Sequence, residues 1–382
     1  MQTTAAEEIL SYLKHDDYSL AVRRTLDLTL DTGDPELIRR AIGWSGTFRT
    51  AERNALTAAM PASFFDEGQG ILADAEKVKP AGNIGAVELL TANAVSKRYS
   101  NSAFTLKPLS LKINTGNVLG VVGENGNGKT TLLRLLGGQL ALDSGDLHYH
   151  RLNNPDNYAI KNHVAFIPQR IPKWFGLLKD NLHFSASLAG VHGAQNELMV
   201  DYMLERLNLR AYAHLDWNKI SSGYRTRFEI ARVLLQKPQL LILDEPLANL
   251  DIKAQQTILT DLIYMAKGTH NPMGIILSSQ QLHEVEKVAD TVIFIKQGRC
   301  MYSSNDAATE IKSAAVEFET TATRESILAI TGTNAELHFN GRFYTIISKE
   351  KTAAELIKAL VSSGMPVTYF RDITYSTKRF FN

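Results

Sequence analysis

Gly123-Glu124-Asn125-Gly126-Asn127-Gly128-Lys129-Thr130 lies between an apolar run, Val118-Leu119-Gly120-Val121-Val122, and a helical pattern, Thr131-Leu132-Leu133-Arg134-Leu135-Leu136, that Gly137 and Gly138 stop. The run reads as a buried strand and the pattern as a helix, so the glycine-rich loop joins a strand to a helix N-terminus. Gly123, Gly126 and Gly128 let successive backbone N–H groups turn toward one point, and the helix end adds partial positive charge. That combination suits a polyphosphate. Lys129 is placed to reach the β and γ phosphates. Thr130 offers a hydroxyl to a Mg²⁺ ion bridging them. Asn125, Asn127 and Thr131 complete the loop's candidate phosphate contacts.

Composition narrows the surroundings. A chain of 382 residues suggests two or three domains. With 41 basic and 40 acidic residues, nothing in the charge balance points to nucleic acid or an anionic membrane surface. No apolar run approaches the ~20 residues that span a bilayer, and Glu7 and Glu8 interrupt any leader pattern, so a soluble, unexported chain is expected. The one cysteine, Cys300, reads as a small apolar residue ending a strand. His148 and His150 share a strand side without the Cys or carboxylate grouping that zinc requires.

The first 80 or so residues read as short amphipathic helices. Thr4-Ala5-Ala6-Glu7 is a capping box, Asp34-Pro35-Glu36 supplies a cap, a first-turn proline and an acid, and Leu20, Leu26 and Leu30 are expected on one helix face. Pro80-Ala81-Gly82-Asn83-Ile84-Gly85 is a linker signal. Apolar strands then alternate with helices at Val118–Val122, Val164–Ile167, Leu240–Leu243, Gly274–Leu277 and Val292–Ile295, as in a parallel sheet covered on both faces. Between Gln169 and Lys237 helices replace strands. Beyond Asn305, strands at Val316–Glu319, Glu336–Phe339, Phe343–Ile347 and Val367–Phe370 and helices from Arg324 and Thr352 follow the order β-α-β-β-α-β, with a hairpin turn at Asn340-Gly341. That order resembles a ferredoxin-like fold. The expected organisation is therefore a helical domain over 1–84, an α/β domain over 85–303 with a helical subdomain at about 170–236, and a small α+β domain over 304–382.

Leu240-Leu241-Ile242-Leu243-Asp244-Glu245-Pro246 ends an apolar strand in two acids at the carboxyl edge of the sheet, beside the phosphate loop. Asp244 is placed to hold the Mg²⁺ shell, and Glu245 to polarise a water for attack on the γ-phosphorus. An acid pair after a strand, taken alone, is more often a cap for the next helix; the loop at Gly123–Thr130 inverts that preference.

These ordered motifs resemble the ATP-binding cassette (ABC) ATPases, a P-loop α/β fold. The resemblance implies roles residue by residue. Tyr99, in Val95-Ser96-Lys97-Arg98-Tyr99, stands where the family puts an aromatic under adenine, although a plain strand aromatic reads the same. Gln169, in Phe166-Ile167-Pro168-Gln169, matches the glutamine that touches Mg²⁺ and the attacking water. Leu250-Asp251 after Ala248-Asn249 looks like the loop between two active sites. Ile220-Ser221-Ser222-Gly223-Tyr224-Arg225 departs from the family's Leu-Ser-Gly-Gly-Gln signature: Ser221 and Gly223 carry over, whereas Ser222 replaces the first glycine and Tyr224 the glutamine. After Ile275-Ile276-Leu277-Ser278-Ser279 the family has a histidine; here it is Gln280, with His283 one helical turn away. A glutamine amide donates to a phosphate oxygen but carries no charge and cannot be protonated, so hydrolysis is expected to be slower, by analogy with a lost oxyanion donor about 10²–10³-fold.

One phosphate loop and one signature in one chain imply an ATP–Mg²⁺ site completed by a second ATPase subunit, as a homodimer or a heterodimer. The resemblance implies the energy-coupling subunit of a transporter, cytoplasmic and peripheral on the inner face of the membrane, with a separate transmembrane permease docking near Ile171-Pro172-Lys173-Trp174-Phe175-Gly176-Leu177-Leu178. The ending Tyr369-Phe370-Arg371-Asp372-Ile373-Thr374-Tyr375-Ser376 through Phe380-Phe381 resembles exporter ATPases. The alternatives are a soluble ABC-type switch or scaffold, and a slow or binding-only cassette. The N-terminal helices read as a docking surface for a further partner, and no nucleic acid is expected.

Overall fold

The computed structural model describes residues 4–54, 60–78, 85–100, 104–152, 156–248, 250–268, 272–303, 313–332 and 335–374. The linker signal at Pro80–Ile84, Asn249, and the tail from Tyr375 lie outside the described residues, as do the expected boundaries at 84 and 304.

Four helices come first: α1 Ala5–Lys14, α2 Tyr18–Thr32, α3 Pro35–Arg53 and α4 Ala62–Lys77. Thr4 and Glu7 close a reciprocal capping box on α1, and Asp34 caps α3 with Pro35 in its first turn. The buried face of α2 is Ala21, Val22, Thr25, Leu26 and Thr29. Leu20 and Leu30 are only partly buried, so the expected leucine face is displaced toward small and β-branched residues. Small side chains let the helices approach: a Cβ on Gly68 would fall 2.7 Å from the Trp44 ring, which stacks on Phe64 at 4.6 Å and donates its Nε1–H to the Phe64 carbonyl at 2.8 Å.

The central unit contains two sheets. β1 Glu88–Arg98, β2 Thr105–Asn114 and β4 Ser144–Tyr149 form an antiparallel sheet in the order β2-β1-β4, an element that the runs of Val, Ile and Leu do not reveal. The second sheet has the order β5-β6-β7-β3-β8-β9, built from β3 Val118–Val122, β5 Val164–Ile167, β6 Leu240–Leu243, β7 Gly274–Ser279, β8 Thr291–Lys296 and β9 Arg299–Ser303. Its first five strands are parallel and β9 is an antiparallel edge. β3 and β6 are buried at every position, as expected for strands covered on both faces. Helices α5 Lys129–Leu136, α6 Asn157–His163, α10 Ile252–Lys267 and α11 Leu282–Val285 accompany this sheet. Between β5 and β6 the chain forms α7 Leu178–Leu188, α8 Gly193–Arg206 and α9 Ser222–Leu234. Cys300 is exposed near the start of β9, not an apolar strand end.

The last unit is an antiparallel sheet in the order β11-β12-β10-β13, made of β10 Ala314–Thr320, β11 Glu336–Phe339, β12 Tyr344–Ser348 and β13 Val367–Asp372, with α12 Arg324–Thr331 and α13 Ala353–Ser362. Its core joins Val316, Phe318 and Ile346 to Ile327, Leu356 and Leu360. The β11–β12 turn lies one residue beyond the expected Asn340-Gly341: Phe339 pairs with Tyr344 and the Asn340 N–H donates to the Phe343 carbonyl at 3.2 Å, which leaves Gly341-Arg342 between them. Asn340 Oδ1 accepts the N–H of Arg342 at 3.3 Å, closing an Asx turn, and that of Phe343 at 2.9 Å.

Candidate functional site

Parallel packing fixes the phosphate loop at the carboxyl edge of the sheet, because β3 sits between β7 and β8. A Cβ on Gly123 would fall 2.3 Å from the carbonyl oxygen of Ile295 on β8, so only glycine lets the loop leave the strand there. Gly126 and Gly128 take positive φ, 77° and 105°, and Gly128 is the N-cap of α5. Asn125 is exposed at the loop crest. The Asn127 side chain is committed elsewhere: its Oδ1 accepts the Gln297 N–H at 2.8 Å. That bond ties the loop to the β8–β9 turn.

Lys129 is 4% exposed. Its Nζ donates to the carbonyls of Gly123 at 2.7 Å and Glu124 at 3.1 Å, and stands 3.1 Å from Glu245 Oε1. Thr130 Oγ1 donates to Asp244 Oδ2 at 2.7 Å. Ser278, on β7 and fully buried, joins the two acids: its Oγ donates to Asp244 Oδ1 at 2.8 Å and accepts the Glu245 N–H at 2.9 Å. That backbone bond holds Glu245 at φ +48°, a left-handed conformation that costs a non-glycine residue roughly 1–2 kcal/mol. The amides of Gln169 and Gln280 each donate to Glu245 Oε2 at 2.9 Å. Six sequence candidates from four segments are thus joined by hydrogen bonds and one ion pair. Ser278, read only as the end of an apolar strand, is the member that sequence reasoning missed.

The remaining candidates lie apart from this cluster. Tyr99 follows β1, with its hydroxyl 3.4 Å from Thr131 Oγ1. Ser221 is an exposed N-cap of α9 whose side chain makes no cap hydrogen bond. Leu250 Cδ2 lies 3.2 Å from where a Cβ on Gly223 would sit, so glycine there admits the loop before α10. Asp251 caps α10, accepting the Ala254 N–H at 2.9 Å. Tyr224 packs on Tyr212 with ring centroids 3.9 Å apart, and burial, reinforced by the Tyr212 hydroxyl, pushes its phenol up to about 12. His283 pairs with Glu284 at 2.9 Å on its own helix and does not join the cluster.

Thr130 and Asp244 bring two hard oxygen donors together beside a helix N-terminus, the donor set that suits Mg²⁺ and phosphate oxygens. No helix among the described residues is long and apolar enough to cross a membrane. The segment after Gln169 splits its apolar side chains. Trp174 and Leu178 are buried, Trp174 stacking on Trp217 at 4.9 Å, whereas Phe175, Leu177, Phe184 and Leu188 are exposed at 82%, 45%, 66% and 69%.

Comparison with known proteins is consistent in kind. The family model described as ABC transporter matches residues 106–248. A Bacillus subtilis protein described as the uncharacterized ABC transporter ATP-binding protein YxlF is 30% identical over 212 residues, covering 55% of this chain and 68% of that one. ABC transporter A family member 8 of Dictyostelium discoideum is 30% identical over 210 residues, 54% of this chain. The chain spans only 25% of that relative's length. Among solved structures, cbiO1 of Clostridium perfringens, part of the ABC transporter complex cbiONQ, aligns with a TM-score of 0.51 at 25% identity, covering 58% of this chain and 90% of that one.

Proposed function

We propose, from the premise that this chain belongs to the ABC transporter ATP-binding proteins and carries their ATPase domain, that two ATPase subunits close around ATP and drive a membrane transporter. The observation that carries the reading is the joint hold on Glu245 by Lys129, Gln169 and Gln280, beside the Thr130–Asp244 pair.

In the proposed reaction, the triphosphate enters the loop at Gly123–Thr130 and its β and γ oxygens take over Lys129 from the Gly123 carbonyl and Glu245. Glu245 is then left with the two glutamine amides and a free carboxylate oxygen. A water donates its proton to that oxygen as its own oxygen bonds the γ-phosphorus and the bond to the β-phosphate oxygen breaks. Thr130 and Asp244, with Gln169 on the water side, would hold Mg²⁺, which when bound neutralises charge on the β and γ oxygens. Ser221 and Gly223 would meet the γ-phosphate held by the other subunit. Tyr99 would stack on adenine. Glu245 supports hydrolysis over the binding-only reading; Gln280 supports a slow rate.

The exposed Phe175, Leu177, Phe184 and Leu188 support a membrane partner over a free-standing switch. Monomeric surfaces rarely expose large contiguous apolar patches, and Phe184 and Leu188, four residues apart, share one face of α7. A permease segment docked there places the protein peripherally on the cytoplasmic side of the membrane. Export rests on the resemblance of the 369–381 tail alone. For the C-terminal unit a ferredoxin-like reading is supported by its strand order and two helices.

The test is copurification from native membranes with and without Phe175→Asp combined with Leu188→Asp. The reading expects a polytopic protein with the wild type and its loss with the variant, at unchanged ATP affinity. Equal recovery of such a protein with both would contradict it.

A further inference from the structure

The N-terminal helices are seated on two elements from different parts of the ATPase domain, α8 of the helical insertion and α10 beside the sheet. The junction is built around Arg206, the last residue of α8, which is 1% exposed. Its Nε and Nη2 donate to the two carboxylate oxygens of Asp27 on α2 at 2.6 and 3.0 Å. Its Nη1 donates to Asp261 Oδ1 on α10 at 2.6 Å. Arg23 of α2 donates to the same Asp261 oxygen at 2.9 Å, and the Tyr202 hydroxyl donates to Asp27 Oδ1 at 3.2 Å. Arg24 also pairs with Asp27, at 3.8 Å, and with Glu8, at 3.3 Å, so three arginines face three carboxylates and the charges balance, as a buried ionic cluster requires.

Further bonds span the same junction, among them that between the hydroxyls of Tyr12 on α1 and Tyr264 on α10 at 3.0 Å. Ser45 of α3 donates to the buried Glu205 of α8 at 3.0 Å. Tyr264 of α10 donates to Glu8 of α1 at 3.1 Å, and the Arg24 guanidinium lies 4.1 Å over its ring. Both elements lead to the candidate site. The chain from α8 runs through the buried Trp217 to Ser221, the N-cap of α9, and Asp251, the N-cap of α10, directly follows the Leu250 that packs against Gly223.

We infer that the N-terminal helical domain is an internal brace, with Asp27 and Arg206 as positioning residues that hold the Ser221 helix in register with the Asp251 helix for the two-chain ATP site. The inference rests on the proposed ATP-driven closure. A bidentate arginine–carboxylate pair has one good geometry, so it fixes an orientation where apolar packing alone permits sliding. Loosening it spreads Ser221 over several positions, and closure then requires selecting one of them, which lowers apparent affinity by the competent fraction. Nucleotide binding by one chain is spared, because Lys129 and Thr130 bond to Gly123, Glu124 and Asp244 and neither bonds to Asp27 or Arg206.

The test uses the full chain carrying Glu245→Gln to retain ATP. Asp27→Asn keeps the shape of the side chain and removes its charge. Three quantities are measured for parent and variant: affinity for a fluorescent ATP analogue, the ATP concentration for half-maximal dimerisation, and thermal stability. The inference expects unchanged affinity and at least a tenfold rise in the ATP needed for dimerisation. Unchanged dimerisation, with or without a drop in thermal stability, overturns it and marks the cluster as structural only; a parallel loss of affinity also overturns it. Should Asp27→Asn not fold, Ser45→Ala at the separate Glu205 contact carries the same comparison with a threefold threshold. A parent that stays monomeric at saturating ATP defeats the closure reading itself, a result distinct from either.

Discussion

Lys129 Nζ and Glu245 Oε1 stand 3.1 Å apart, with side chains only 4% and 9% exposed. A shielded pair of this kind interacts far more strongly than one at the surface, and its charges cancel until an anion competes for the lysine. In the proposed reaction Glu245 would be freed as the base only when a γ-phosphate claims Lys129, which would couple substrate arrival to the freeing of the base.

Lys129→Ala removes the cation from the loop and leaves Glu245 close to the phosphates without its counter-charge. A lost charge-assisted contact of about 1.5–3 kcal/mol corresponds to roughly 10–100-fold weaker ATP binding. Titration with a fluorescent analogue reads it; unaltered affinity would contradict the assignment of the loop.

Gln280→His returns a group that titrates near ~6.5 to the position bonded to Glu245 Oε2. Turnover is expected to rise about tenfold or more and to acquire a limb near ~6.5 that the wild-type profile lacks. Steady-state rates between about pH 5.5 and 8.5 check both. An unchanged rate would mean that the amide already supplies all this position contributes.

Ser278→Ala strips the buried Asp244 Oδ1 of a donor and the Glu245 N–H of an acceptor. Leaving such groups unsatisfied costs about 1–3 kcal/mol. The expected result is a kcat lowered about 10-fold or more with KM for ATP little changed, since the phosphate loop is intact. A KM effect alone would contradict a role for Ser278 in setting the acids.

Much of the sheet was legible because β3, β5 and β6 are continuous apolar runs that only burial on both faces explains. The loop glycines were legible for a similar reason, since their positive φ and close approach to Ile295 exclude a side chain. The antiparallel β1-β2-β4 sheet was not, because its strands alternate polar and apolar residues across bulges. Ser278 stayed hidden inside an apolar strand. The Arg206 cluster could not be read at all, for Asp27 and Asp261 come from 179 and 55 residues away, and a single arginine at the end of a helix reads as an ordinary last-turn cation.

Glu8 offers a pH readout of the N-terminal junction. Burial raises its carboxyl, but the hydroxyls of Tyr12 and Tyr264 and the charge of Arg24 outweigh burial and hold it below the ordinary 4.5. A carboxyl lowered on folding adds stability that is complete above its unfolded value and disappears as pH falls through the folded one. The melting temperatures of wild type and Glu8→Gln should therefore differ above about pH 4.5 and converge below it. A difference that persists in acid would show that the contact does not depend on the charge of Glu8.

The most direct measurement is sedimentation of the full-length Glu245→Gln chain with and without ATP. The account predicts a monomer without nucleotide and a dimer at saturating ATP, abolished by adding Lys129→Ala. A Glu245→Gln protein that binds ATP and remains monomeric would contradict a site shared between two chains.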